Sequence, residues 1–323
     1  MKGLMMGAAL LALMAGAVQA ETLRFGYASN ATPTKEAMAK FGDLVAEKTG
    51  GGVTVTFFPD GQLGGERELV EMVQGGLLDM TKVSGGLMES FSPVYGAFSM
   101  PYLFDDTAHF YRAMEDDAIM GPVYASTEGQ GMVGLTYYDS GARSFYTAKK
   151  PVETVEDLKG LKIRVMQSPT SIEMVKMLGA APIAMDQSEV YTSIQQGVLD
   201  GAENNEYALT VARHGEVAKY YSYDMHTRIP DIVLISTAAL GRLTPEEQAA
   251  VREAARESTA FQKEAWTQAT EAEKKTAAES FGVTYTYPDV AAFQKAVQPM
   301  YDALSETPEK QALVEKIRAL AGQ

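Results

Sequence analysis

From Pro245 to Phe281 no glycine and no further proline interrupts a helical pattern. Its start is marked by Thr244-Pro245-Glu246-Glu247, a capping box with proline at the first helical position. At ~1.5 Å of rise per residue such a helix is about 55 Å long. That exceeds the width of one small lobe, so the fold must be wide enough to carry it, and the helix is expected to kink or curve. The single tryptophan, Trp266, lies on it and is expected to pack rather than to touch a ligand.

Residues Met1 to Ala20 form a unit of a different kind. Lys2 supplies a basic start, Leu4 to Ala17 an apolar run, and Val18-Gln19-Ala20 a small-x-small cleavage site. This is the pattern of a secretory signal peptide (residues 1–20), too short for a membrane span, with the mature chain expected to begin at Glu21. The remaining length of about 300 residues suggests two domains. No cysteine is present, so neither a disulfide nor a thiol nucleophile or ligand is available. A formal charge of -14 argues against a nucleic-acid partner, and an acidic protein that takes an anion must do so with local cations. The expected setting is a bacterial periplasm, without stable membrane insertion.

The first half reads as strand, helix, strand, helix. Leu23 to Ala28 is a strand, Ser29-Asn30-Ala31 a loop, and Thr32 with Pro33 opens a helix that lasts to about Gly50. Val53 to Phe58 and Glu66 to Gln74 repeat the pattern, which is that of a parallel α/β sheet with ligands bound beyond the strand carboxyl ends. Asp105 to Met114 is a further helix, Met132 to Tyr138 a strand, and the acidic run Glu115-Asp116-Asp117 reads as solvated. Gly129-Gln130-Gly131-Met132-Val133-Gly134 has dinucleotide-binding spacing but runs into a strand rather than from strand to helix, so it is rejected as a cofactor site.

Leu161 to Asn205 carries the chemistry. Lys162 to Val165 is a short strand bearing Arg164 near its end, and Ser168-Pro169 opens a helix with Ile172, Val175 and Leu178 on its apolar face. The planar fork of an arginine there matches a carboxylate with two charge-assisted hydrogen bonds; a surface salt bridge is the competing reading. The whole stretch, with G-A-A-P-I-A-M and then S-E-V-Y-T-S-I-Q-Q-G-V-L-D-G-A-E-N-N, resembles the solute-binding proteins of tripartite ATP-independent periplasmic (TRAP) transporters, of the C4-dicarboxylate-binding type. The resemblance covers essentially the whole mature chain.

That resemblance implies an α/β, two-lobed periplasmic binding protein fold with a hinge and a long helix spanning both lobes. It implies lobe 1 from 21–143 with about 232–270, and lobe 2 from 144–231 with about 271–323. Arg164 matches the arginine that pairs with a ligand carboxylate, and Asn204 the ligand-contacting asparagine of the D-G-x-E-N element, with Asn205 beside it. Glu66, in Gly61-Gln62-Leu63-Gly64-Gly65-Glu66-Arg67, matches an acidic ligand contact; a helix-N-terminal acid favoured by the macrodipole competes. Ser84 ends the next strand at a ligand-touching position, Gln187 stands where some relatives carry an aromatic residue, and Arg143 matches a second cationic contact, with a salt bridge across the hinge as the alternative. Asn30 completes the candidates. His226 and Asp231, in the loop before Ile232, are within conceivable reach of a ligand but read better as structural.

The expected function is capture of a small organic acid between two lobes, for delivery to TRAP membrane subunits by a monomer without cofactor or metal. An acid, a carboxamide and the doubled asparagine suit hydroxyl groups, which points to a hexuronate such as glucuronate or galacturonate, or a related sugar acid. A C4-dicarboxylate or a keto or hydroxy acid is the alternative ligand. An exported hydrolase or lyase using Glu66 and His226 is the alternative class, though the three histidines lack H-E-x-x-H spacing and no G-x-S-x-G element is present. A partner of an extracytoplasmic sensor is a third reading.

Overall fold

Residues 20–28 and 31–322 are described by a computed structural model; the signal-peptide reading, apart from Ala20, and Asn30 lie outside the described residues. The chain runs through β1 (Glu21–Tyr27), β2 (Val53–Phe58), β3 (Met80–Ser84) and β4 (Met132–Tyr138). It then crosses to β5 (Arg143–Thr147), β6 (Lys162–Val165), β7 (Ala181–Ala184), β8 (Gly201–Asn204) and β9 (Tyr220–Thr227), and returns with β10 (Asp231–Ser236) before a short β11 (Thr284–Thr286). These strands form two sheets, ordered β2-β1-β3-β10-β4 and β11-β9-β5-β8-β6-β7. In each sheet one strand comes from the far side of a crossing. β10 lies antiparallel between β3 and β4, and β5 lies antiparallel between β8 and β9.

The parallel β1, β2 and β3 are joined by helices Thr32–Lys48 and Glu66–Gln74, the α/β pattern expected. Phe25 and Phe41 pack edge to face at 6.1 Å on this side, each buried, and full burial of such a ring stabilises by roughly 1.5–3 kcal/mol. β4 and β10 are buried along their whole length, which their apolar runs require. Ser168 caps helix Pro169–Met177 through its Oγ, accepting from Ser171 N–H at 3.1 Å. Thr32 does not cap the first helix; Ala31 holds that position with no side-chain bond, and the proline already present in the first turn has no N–H to satisfy. Asp116 is not merely solvated, since its carboxylate caps the helix Asp117–Ala125, and Glu115 pairs with Lys263. His226 lies inside β9, not in a loop.

The long helix spans Pro245–Phe281 without interruption, 37 residues. Its capping box is closed in both directions: Glu247 N–H donates to Thr244 Oγ1 at 3.2 Å, and Thr244 N–H to Glu247 Oε2 at 2.9 Å. Gly282 ends it at φ +68°, a left-handed turn that glycine adopts without a Cβ penalty. The first half presents a stripe of small and polar side chains, Ala254, Ala255, Ser258, Thr259 and Gln262, and packs closely on helix Thr32–Lys48 and β4. The second half belongs to the other sheet. Lys274 sits over the rings of Tyr223, Tyr285 and Tyr287 at 4.8, 5.4 and 5.3 Å, and Lys219 Nζ donates to the carbonyl of Phe281 at 2.7 Å. The helix therefore spans both lobes.

Two further crossings, residues 139–142 and 228–230, join the sheets, and all three meet at Asp139. Its Oδ1 accepts from Gly141 N–H at 2.9 Å, its Oδ2 from Arg228 at 2.5 Å and from the Tyr111 hydroxyl at 2.7 Å. Gln262 of the long helix bonds both its N–H and its carbonyl, at 2.9 and 2.8 Å.

Candidate functional site

Strand ends from both sheets open onto one cavity of about 520 Å3. From the first lobe it is lined by Glu66, Lys82, Ser84 and Asp231; from the second by Arg143, Arg164, Gln187 and Asn204, with Asn205 and Trp266 at the crossings. Of the eight residues singled out from sequence, seven thus line one space and Asn30 is not described.

Arg164 leaves β6 buried. Its Nε and Nη2 donate to the carbonyl of Met185 at 3.0 and 2.8 Å, and its Nη1 to Gln187 Oε1 at 3.0 Å. No carboxylate of the described residues lies within salt-bridge distance of it, so the surface-salt-bridge reading fails. Burial pushes its pKa down, with Glu203 as the leading opposing charge. Glu203 itself belongs to Arg143: Nε meets Oε2 at 2.6 Å and Nη2 meets Oε1 at 3.0 Å. Burial penalises that carboxylate, but Arg143 overrides it and holds the pKa at about 2. Arg143 Nη1 also donates to Asn204 Oδ1 at 2.7 Å, which fixes the amide at the cavity wall. The arginine's salt bridge is therefore made within its own sheet, between neighbouring β5 and β8, and not across the crossing.

Behind this pair stands His226, 3.4 Å from Glu203 and 2.7 Å from Asp224, its ring over Phe145 at 4.5 Å. It does not line the cavity, and Glu66 makes its contacts elsewhere, so the imagined Glu66–His226 acid–base pair does not exist. Asn205 serves the crossing: its Nδ2 donates to the Ser140 carbonyl at 2.8 Å and its Oδ1 accepts from Tyr207 N–H at 3.0 Å.

The first-lobe wall holds the residue that sequence reading missed. Lys82, buried in β3, donates from Nζ to Asp231 Oδ2 at 2.9 Å and faces Glu66 Oε1 at 3.6 Å. Burial opposes its charge, yet Asp231 and Glu66 hold its pKa above the ordinary value. Burial raises the carboxyl of Glu66 against the pull of Lys82, and Ser84 N–H donates to it at 3.1 Å. Glu66 is also the first residue of its helix, as the macrodipole reading expected, and it lines the cavity at the same time. Asp231, expected to be structural, lines the cavity. Trp266 packs on Tyr207, ring centroids 4.6 Å apart, and lines the cavity as well. His214 lines the cavity too, its Nδ1 at 2.7 Å from the Tyr146 hydroxyl; burial, then the charge of Arg164, holds its pKa down to about 3.

Two lobes with a shared cavity that offers a buried, carboxylate-free guanidinium define a solute-binding protein of the two-lobed class. The comparisons make this specific. The chain belongs to the bacterial extracellular solute-binding protein family 7 (DctP), whose profile matches residues 25–307. It is 56% identical over 311 residues to the uncharacterised protein YiiZ of Salmonella typhimurium, covering 96% of this chain and 95% of that one. A TRAP periplasmic solute-binding protein of Anaerococcus prevotii, solved with bound α/β-D-glucuronate, superposes with a TM-score of 0.90 at 37% identity, over 93% of this chain and 98% of that one. Its counterpart from Xanthobacter autotrophicus, solved with bound β-D-galacturonate, gives 0.87 at 36% identity, over 92% and 99%.

Proposed function

We propose that this protein is an exported periplasmic binding protein, without enzymatic activity of its own, that captures a hexuronate between its lobes and delivers it to the membrane subunits of a TRAP transporter. The observation that carries the reading is Arg164: a buried guanidinium at the cavity, with no carboxylate partner among the described residues, opposite a wall of hydrogen-bonding groups. A uronate carboxylate completes its hydrogen bonding, and Asn204, Ser84, Glu66 and Lys82 face the hydroxyls. Two relatives of matching fold crystallised with glucuronate and galacturonate support the same ligand class. Membership in a family of extracellular solute-binding proteins supports export, and no helix among the described residues is long and apolar enough to cross a membrane.

The lobes in this reading are 21–143 with about 232–270 and 144–231 with about 271–323, save that the residue at each crossing goes with the strand it opens: Arg143 begins β5 of the second sheet and Asp231 begins β10 of the first. They close on ligand because only the closed arrangement gathers contacts from both walls. A thermal-shift screen of the mature protein tests it, since a ligand that binds only the native state raises the melting temperature by mass action. Glucuronate or galacturonate is expected to shift the transition and glucose to leave it in place. A shift with succinate or a keto acid alone overturns the hexuronate assignment; silence with every acid overturns the role of Arg164.

A further inference from the structure

The cavity is lined by three cations and by the carboxylates of Asp60, Glu66, Asp186 and Asp231. Pairing settles what each cation can still do. Arg143 is bound to Glu203 at 2.6 Å, and Lys82 is shared between Asp231 at 2.9 Å and Glu66 at 3.6 Å. Asp60 is matched outside the cavity by Lys35 at 2.6 Å. Arg164 alone of the three lacks a carboxylate within salt-bridge distance among the described residues.

We propose that the cleft is a one-carboxylate filter: Arg164 takes the single acid group of a sugar acid, while the Glu66–Lys82–Asp231 trio reads hydroxyls at the other end and turns away a second carboxylate. The proposal rests on the sugar-acid reading above and adds that aldaric acids and C4-dicarboxylates are rejected. With both carboxylates ionised the trio carries one negative charge more than Lys82 balances. A hydroxyl suits such a wall, because it donates to a carboxylate and accepts from an ammonium with the same oxygen. A carboxylate placed there can only accept. It competes with Glu66 and Asp231 for one buried ammonium, and like charges held side by side weaken binding strongly. Asp186 reaches across from the second lobe to Gly65, its Oδ2 2.7 Å from where a Cβ there would stand, and so adds its charge beside Glu66 at the same end.

The test uses three ligands and isothermal titration of the mature protein at neutral pH: glucuronate, gulonate and glucarate. Gulonate is the open-chain alcohol of glucuronate, and glucarate differs from gulonate only in carrying a second carboxylate, so that pair separates charge from ring shape. Gulonate is expected to bind about 100-fold more tightly than glucarate, the order of a like-charge penalty. A ratio below tenfold overturns the filter even if glucuronate binds well. Silence with all three overturns the sugar-acid reading, and the filter with it. Glu66→Gln removes one charge from the trio and is expected to narrow the gulonate–glucarate gap by tenfold or more; an unchanged gap overturns the proposal. Should that variant fail to fold, Asp231→Asn is read by the same criterion.

Discussion

At the scale of the residue, the two arginines of the site differ in what already holds them. Arg143 is satisfied by Glu203 and shapes the wall through Asn204; Arg164 is bound only by neutral oxygens and keeps its charge for a ligand. Arg164→Ala is expected to lower affinity by more than roughly tenfold, the usual result of removing one partner of a buried charge pair, and Arg164→Lys to recover little because an ammonium cannot form the fork. Calorimetric titration with glucuronate checks both; full affinity in the lysine variant would refute the bidentate reading. Glu203→Gln acts on stability, since it leaves Arg143 buried beside a neutral group, and a loss of about 3–5 kcal/mol is expected in a denaturant titration. Arg164, Asn204 and Glu66 were legible because each sits in a motif of recognisable spacing. Lys82 was not: within Met80-Thr81-Lys82-Val83-Ser84 a lysine reads as the solvated side of a strand, and only the approach of β10, 149 residues later, supplies the Asp231 that permits its burial.

At the scale of the element, boundaries were legible where a local device enforces them. Ser168-Pro169, the Thr244 capping box and Gly282 each commit the backbone by themselves, and the structure keeps all three. The antiparallel insertion of β5 and β10 had no local signal, because it depends on which sheet the chain reaches after a crossing. The helix Val290–Asp302 was also missed; Pro299 inside it reads as a breaker, but tertiary packing of Phe293, Val297 and Met300 outweighs the lost hydrogen bond. The crossing at 139–142 depends on Gly141, whose φ is +65° and whose absent Cβ would lie 3.2 Å from the Trp266 ring. Gly141→Ala is expected to cost at least ~1 kcal/mol from the left-handed backbone alone. A denaturation midpoint equal to that of the parent chain would remove the crossing from the list of strained positions.

At the scale of the whole molecule, the buried chain Arg143–Glu203–His226–Asp224 ties β5, β8 and β9 into one electrostatic unit. Burial opposes the charge on His226, but Asp224 and then Glu203 raise its pKa from 6.5 to about 9. A base whose folded pKa is raised adds stability that is complete below the unfolded value and fades as pH climbs through the folded one. Stability is thus expected to fall between pH 6.5 and about 9, at up to ~1.4 kcal/mol per pH unit. Urea titrations across that window check it, and a flat profile would mean that His226 is neutral in the fold. The long helix has a consequence of its own. Its first half is keyed to one sheet by Ser258, Thr259 and Gln262 and its second half to the other by Lys274. A single residue inserted after Trp266 would swing Lys274 by about 100° and lift it off its three tyrosines. Insertions and deletions can accumulate in the surface loops, but within 245–281 the chain is a ruler whose length is not free to change.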